Sequence, residues 1–70
     1  MKAITFEKRN KDVYSVRSTI RYIADTAKNK QEVIDRIRDI LPRDLKMGFG
    51  GHHIWCCNSN NQRLFIIYWE

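Results

Sequence analysis

Apolar and polar residues alternate along two stretches near the start of the chain. In residues 2–8, Ile4 and Phe6 share one side, which predicts a half-buried strand. In residues 14–24, the even-numbered positions would lie on one side of a strand, and they include tyrosine, valine and isoleucine. Because this stretch is long for one strand, we expect a bend near Ser18. The polar segment between the two stretches is typical of a tight turn, so the chain is predicted to open with a hairpin.

A helical period follows. Asn29 is the predicted N-cap, because Glu32 stands three residues later, the spacing of a capping box. Apolar residues then recur at helical intervals and form one stripe, which stops before Pro42. The stripe consists of Val33, Ile34, Ile37, Ile40 and Leu41. A helix of about 12 residues is marginal alone, so we expect the stripe to pack on a sheet.

The remaining chain reads as two strands and their connections. Residues 48–51 are glycine-rich and predict a flexible connection, and residues 52–57 are a strand candidate. Residues 58–61 predict a turn, since asparagine tolerates left-handed conformations, and residues 63–69 form the strongest strand. The predicted fold is therefore a single α+β domain over residues 1–70. Its order is β-β-α-β-β, with one helix packed on a four-stranded, mainly antiparallel sheet.

The last strand is apolar on both sides. One side carries Leu64, Ile66 and Tyr68, and the other carries Phe65, Ile67 and Trp69. Such a strand is typical of a sheet that is covered on both faces, whereas a single helix covers only one. The pattern predicts either a homodimer or a protein partner on the face formed by Phe65, Ile67 and Trp69. Strong sheet twist that wraps the second face is the alternative.

Composition narrows the class of protein. A chain of 70 residues with 43% apolar and 30% charged residues has room for one folded domain. It has neither an apolar run of membrane length nor the apolar core of a signal peptide. Cys56 and Cys57 are adjacent, and neighbours in a strand point to opposite faces, so we expect free thiols and a cytoplasmic location.

Positive charge is concentrated in the first part of the chain. Thirteen Lys and Arg stand against eight Asp and Glu, for a formal net charge of +5, and the whole excess lies in residues 1–30. A localised basic surface attracts phosphates or an acidic protein face, and a solvated face that maintains solubility is the third possibility. The predicted nucleic-acid-binding residues are Lys8, Arg9, Lys11, Arg17, Arg21, Lys28 and Lys30.

No motif specifies a chemical reaction. His52, His53, Cys56 and Cys57 are the only cluster of metal-ligand types, but a strand places only two of them on each face, whereas structural zinc needs four ligands. The glycines near residue 50 lack the Lys-Ser/Thr of a phosphate loop. We therefore predict no catalytic residue, no metal and no cofactor.

Residues 23–37 resemble the helix-turn-helix of bacterial repressors. Small and apolar residues stand where that motif packs its two helices, namely Ala24, Ala27, Ile34 and Ile37. The turn position that usually holds glycine is Lys28, and the position after it is Asn29. The resemblance implies a winged helix-turn-helix-like fold as the alternative, with a first helix from about Thr19 and the final hairpin as a wing. It also implies that the major groove is faced by Lys30, Gln31 and Asp35.

The predicted function is that of a small non-enzymatic binding protein, similar to accessory factors of phages or mobile elements. It would bind nucleic acid, or a nucleic-acid complex, through its basic N-terminal hairpin. The alternative is an inhibitor or adaptor that binds a host protein through the apolar face of the C-terminal hairpin, with charge only steering the encounter.

Overall fold

This computed structural model describes residues 2–69. Within them the chain forms four strands and three helices. The strands are β1 (Ala3–Phe6), β2 (Lys46–Phe49), β3 (His53–Cys57) and β4 (Arg63–Tyr68). The helices are α1 (Lys11–Ser15), α2 (Arg17–Thr26) and α3 (Lys30–Arg38), and all three lie between β1 and β2 in the chain. The strands form one antiparallel sheet in the order β1-β4-β3-β2. The predicted α+β class and four-stranded antiparallel sheet are confirmed.

The predicted hairpin at the start of the chain is wrong, because residues 11–26 are helical apart from a break at Val16. Residues spaced as on one helical face are buried there, namely Val13, Ile20, Ile23 and Ala24. The alternating pattern of a strand predicts that the even-numbered positions are buried, and Tyr22 is one of them. In the structure Tyr22 is 64% exposed. Three helices therefore replace the single predicted helix, and the order is β-α-α-α-β-β-β.

Asparagine side chains start two of the helices. The backbone N–H of Val13 donates to Oδ1 of Asn10 at 3.0 Å, which caps α1. The polar segment predicted as a hairpin turn thus begins a helix instead. At α3 the N–H of Glu32 donates to Oδ1 of Asn29 at 2.9 Å, so the predicted N-cap is confirmed.

The apolar stripe of α3 is confirmed except at one position. Val33, Ile34, Ile37 and Leu41 are buried, whereas Ile40 is 39% exposed. The helix ends at Arg38, earlier than predicted. Ile40 therefore lies beyond the helix, where helical spacing does not determine which way its side chain faces. The stripe packs on the sheet, as expected, and its neighbours in the core come from α1, α2, β3 and β4.

A β-bulge in β4 decides which of its side chains enter the core. Cys56 lies opposite Phe65 and Cys57 lies opposite Arg63, so Leu64 is an extra residue on β4. Leu64 and Phe65 are consequently both buried, although they are neighbours in sequence. A strict alternation along β4 cannot produce this arrangement.

The predicted protein-binding face is wrong, because two of its three residues lie in the core. Phe65 and Ile67 are fully buried beneath the helices, and Trp69 is half-buried and packs against the same core. The side chains of β4 that reach the opposite side of the sheet include Ile66, which is half-buried, and Arg63 and Tyr68, which are exposed. The uncovered face of this strand is therefore the one that carries Ile66 and Tyr68.

The glycine-rich connection is shorter than predicted. Gly48 and Phe49 belong to β2 and pair with Trp55 and Ile54 of β3. Only residues 50–52 remain as the link between these two strands. Within the described residues, no helix has the length and apolarity needed to cross a membrane.

Candidate nucleic-acid interface

Three of the predicted cationic residues meet at one place on the surface. Lys8, which follows β1, and Arg17 and Arg21 of α2 line a depression of about 360 Å³. Arg17 and Arg21 are four residues apart on a helix and so share one face. The other lining residues are Phe6, Tyr14 and Ser18. We call this site the cationic depression.

A series of contacts between aromatic rings connects the core to one of the guanidinium groups. The ring of Phe6 lies 6.0 Å from that of the buried Phe65, and the ring of Tyr14 meets Phe6 edge-on at 6.5 Å. The guanidinium of Arg17 lies 4.0 Å from the centroid of the Tyr14 ring, and its Nη1 donates to the Tyr14 carbonyl at 2.7 Å. Packing from the core thus positions Arg17 before any ligand binds.

The described lining of the cationic depression is free of carboxylates. Among residues 2–69 the ion pairs are Arg9 with Glu7 at 3.2 Å and Arg36 with Glu32 at 3.5 Å. Neither pair includes a lining residue of the depression, and no Asp or Glu between residues 2 and 69 lines it. Arg21 donates from Nη1 to the carbonyl of Lys2 at 3.4 Å, which is a neutral acceptor. The three positive charges therefore keep their attraction for an anion.

Arg9 lies outside the depression, and its charge is offset locally. Its Nε donates to Oε1 of Glu7 at 3.2 Å. This side-chain hydrogen bond lowers the pKa of the Glu7 carboxyl and raises the pKa of Arg9. Both groups are solvent-exposed, so the pair contributes little to stability.

The remaining predicted cations do not join the cationic depression. Lys11 is the exposed first residue of α1, and Lys28 is exposed in the link between α2 and α3. Lys30 places its Nζ 5.7 Å from the ring of Phe49 on β2, at the sheet edge opposite to β1. The seven predicted residues are thus divided between separate places.

A larger depression lies at the C-terminal end of α3, and both positive and negative side chains line it. Its volume is about 500 Å³, and its lining includes Asp35, Asp39, Arg38 and Arg43. Two carboxylates beside two guanidinium groups leave no net charge to select an ionic ligand, in contrast to the cationic depression.

The side of the sheet that faces away from the helices has its own chemistry. Its strands present His53, Trp55, Cys57, Ile66 and Tyr68. We call this surface the outer face. Alternation alone places these residues together once the strand register is known, but the register depends on the bulge, which the sequence pattern does not reveal.

The two cysteines are free and lie on opposite sides of β3, as predicted. Cys56 is buried, and Cys57 is half-buried on the outer face. Within residues 2–69, no group of three or more His, Cys, Asp or Glu is arranged to hold a metal ion. His53 and Cys57 share the outer face, so the structure brings together only two potential ligands there.

The free energy of unfolding is expected to fall at alkaline pH because of Cys56. Burial raises the pKa of its thiol from 9.0 to about 12, so the unfolded chain loses this proton at a lower pH than the folded chain. The stabilisation that the protonated thiol contributes is fully present below about pH 9. As the pH rises from there towards 12, the free energy of unfolding falls by up to about 1.4 kcal/mol per pH unit.

Urea denaturation of the wild type and of Cys56→Ala across this range measures the effect. The difference in stability between the two proteins should shrink as the pH rises, because only the wild type carries the thiol. A difference that stays constant with pH would contradict the prediction.

Comparison with protein-family models, with curated proteins and with solved structures finds no match to this chain.

Proposed function

We propose that this protein is a non-enzymatic nucleic-acid-binding domain that holds the phosphate backbone in the cationic depression. The observation that supports the proposal most strongly is that Lys8, Arg17 and Arg21 line one depression, and that no carboxylate from the described part of the chain lines it with them. A guanidinium offers two parallel N–H donors, which match the oxygens of a phosphate group. Arg17 is held in place by Tyr14, so less conformational entropy is lost when it binds.

The arrangement of α2 and α3 favours duplex DNA as the ligand. The two helices contact each other and are joined by residues 27–29 only, as in a helix-turn-helix. Four residues carry the resemblance to that motif: Ala24, Ile34 and Ile37 are buried, and Ala27 is half-buried against the core. In such proteins the first helix crosses the DNA backbone, and here Arg17 and Arg21 belong to that helix.

The second helix of the pair presents polar groups for base contacts. Gln31 and Asp35 are exposed on α3, and Nε2 of Gln31 donates to Oδ1 of Asp35 at 2.9 Å. In this proposal α3 enters the major groove and these two side chains face the base edges. The sequence preference would come from α3, and most of the affinity would come from the phosphates.

Binding to a labelled duplex at several salt concentrations tests the proposal. Three cations that each contact a phosphate predict a slope of log K against log salt of about −2.7. Affinity should then fall about 40-fold between about 50 and 200 mM salt. Absence of binding at the lower salt concentration would refute the proposal.

A double variant locates the binding site. Arg17→Gln with Arg21→Gln should weaken binding strongly and reduce the magnitude of the salt slope by about 1.8. Arg9→Gln is the matched control, because Arg9 is already paired with Glu7, and it should change the slope much less. Circular dichroism verifies that each variant is folded. Equal effects of the double variant and the control would contradict the assignment to the cationic depression.

A further inference from the structure

We propose that the outer face is a second, separate site, which binds a single-stranded nucleic acid by stacking bases on Trp55 and His53. The residues that would hold the ligand lie on β2, β3, β4 and the turn before β4. The cationic depression is instead built from α1, α2 and the end of β1. This inference therefore goes beyond the proposed function and does not depend on it.

The indole ring of Trp55 lies across the neighbouring strand. A Cβ atom placed on Gly48 would lie 2.6 Å from Cζ2, 2.9 Å from Cε2 and 3.3 Å from Cη2 of this ring. Gly48 and Trp55 are paired residues of β2 and β3. Three ring atoms so close to one backbone position mean that the ring packs against β2. Trp55 is only half-buried, so part of its side chain remains accessible to a ligand.

The imidazole ring of His53 repeats this arrangement one step along the strand. A Cβ atom on Gly50 would lie 2.9 Å from Cε1 and 3.4 Å from Nδ1 of His53. His53 and Trp55 are two residues apart on β3, which separates them by about 6.6–6.8 Å on the same face. Tyr68, opposite His53 on β4, adds a third ring that is 46% exposed. Such rings accept nucleobases of any sequence.

The positive charge beside the outer face favours a nucleic acid over the other possible ligands of this surface. Lys46 and Arg63 line a depression of about 380 Å³ together with His53 and Trp55, and no Asp or Glu of the described residues 2–69 lines it. A second copy of this chain packed on this depression would bring the positive charges of Lys46 and Arg63 close to those of its partner, which is unfavourable. A single-stranded nucleic acid offers phosphates to Lys46 and Arg63 and flat bases to the rings.

Fluorescence of Trp55 tests the proposal directly. In a Trp69→Phe background, Trp55 is the only tryptophan of the chain. Addition of oligothymidylate should quench its emission saturably at low salt, because a stacked base contacts the indole. Oligouridylate forms the second arm, and its affinity relative to oligothymidylate shows whether the 2′-hydroxyl contributes. Emission that does not respond to either oligonucleotide would overturn the proposal.

Two glycine variants examine the position of the ring without removing it. Gly48→Ala places a methyl group where the indole lies, so the ring must move and binding should weaken. Gly51→Ala is the matched control, because nothing lies within 4 Å of its added Cβ. Neither glycine has a positive φ, so alanine fits the backbone at both positions. Equal affinities of the two variants would contradict stacking on Trp55.

Truncation of the ring gives the size of the effect. Trp55→Leu should weaken binding of oligothymidylate about 5- to 150-fold, measured by anisotropy of a labelled oligonucleotide. Arg17→Gln with Arg21→Gln should weaken this affinity less than Trp55→Leu does, because the two arginines lie in the cationic depression and not on the outer face. If the double variant loses oligonucleotide binding and Trp55→Leu retains it, the strand occupies the cationic depression and the outer-face proposal is wrong. A doubled mass in light scattering that Trp55→Leu abolishes would also overturn it, in favour of a second copy.

Discussion

Replacement of Phe65 by alanine is expected to lower the free energy of unfolding by about 3–5 kcal/mol. Phe65 is 1% exposed, and its ring packs against that of Phe6, so the truncation leaves a cavity in the core. A chain of 70 residues has a total stability of about 4–10 kcal/mol. The expected loss is therefore a large fraction of the total stability, and the urea midpoint of the variant should fall in proportion.

Urea denaturation followed by circular dichroism measures this loss. Tyr68→Ala is the matched control, since it truncates an aromatic residue on the same strand that is 46% exposed. This control should lose much less stability than Phe65→Ala. Similar losses for both variants would mean that β4 does not turn Phe65 inward and Tyr68 outward.

Replacement of Ile20 by alanine is expected to cost about 2–5 kcal/mol. Ile20 has no exposed surface and lies in the middle of α2, where it joins the helix to the core. Tyr22→Ala should cost far less, because Tyr22 is 64% exposed. A helix separates these two positions by about 200°, whereas a strand would put both on one face.

The pair of variants thus distinguishes the two structures that the sequence permits for this segment. Thermal or urea unfolding of both proteins gives the comparison. A strand over residues 14–24 would predict large losses for both substitutions. The helical structure predicts a large loss for Ile20→Ala alone.

The part of the fold that local signals determine could be predicted from the sequence. Asn29 and Glu32 define the start of α3 through a hydrogen bond between near neighbours. The aromatic and β-branched residues of β4 define a strand without reference to the rest of the chain. Both predictions are confirmed, because the interactions that cause them are contained in the segments themselves.

The α1–α2 region could not be predicted in this way, because two periods fit the same residues. Val16 and Ile20 satisfy both an alternation of two and a helical spacing. Burial of Val13 and Ile23 against the sheet favours the helix, and this contact exists only in the folded domain. The side chain of Asn10, which caps α1, was a local signal of the helix that the turn prediction did not use.

The candidate site was predicted only in part, for a similar reason. The sequence identifies cationic residues but not which of them meet, and the structure brings together only Lys8, Arg17 and Arg21. The stack of Tyr14 beneath Arg17 depends on helical spacing of these two residues. On the outer face, the exposed residues of β4 depend on the bulge at Leu64.

Pairing of β1 with β4 has a consequence for synthesis on the ribosome. Ala3 lies opposite Tyr68 in the sheet, so β1 has no partner until β4, which follows it by more than 50 residues, has been made. The helices can form earlier, since their contacts are local, but β1 must wait as an unpaired edge. A nascent chain stalled before residue 63 should therefore expose β1 to proteases and chaperones, and the sheet should be completed only after β4 has emerged from the ribosome.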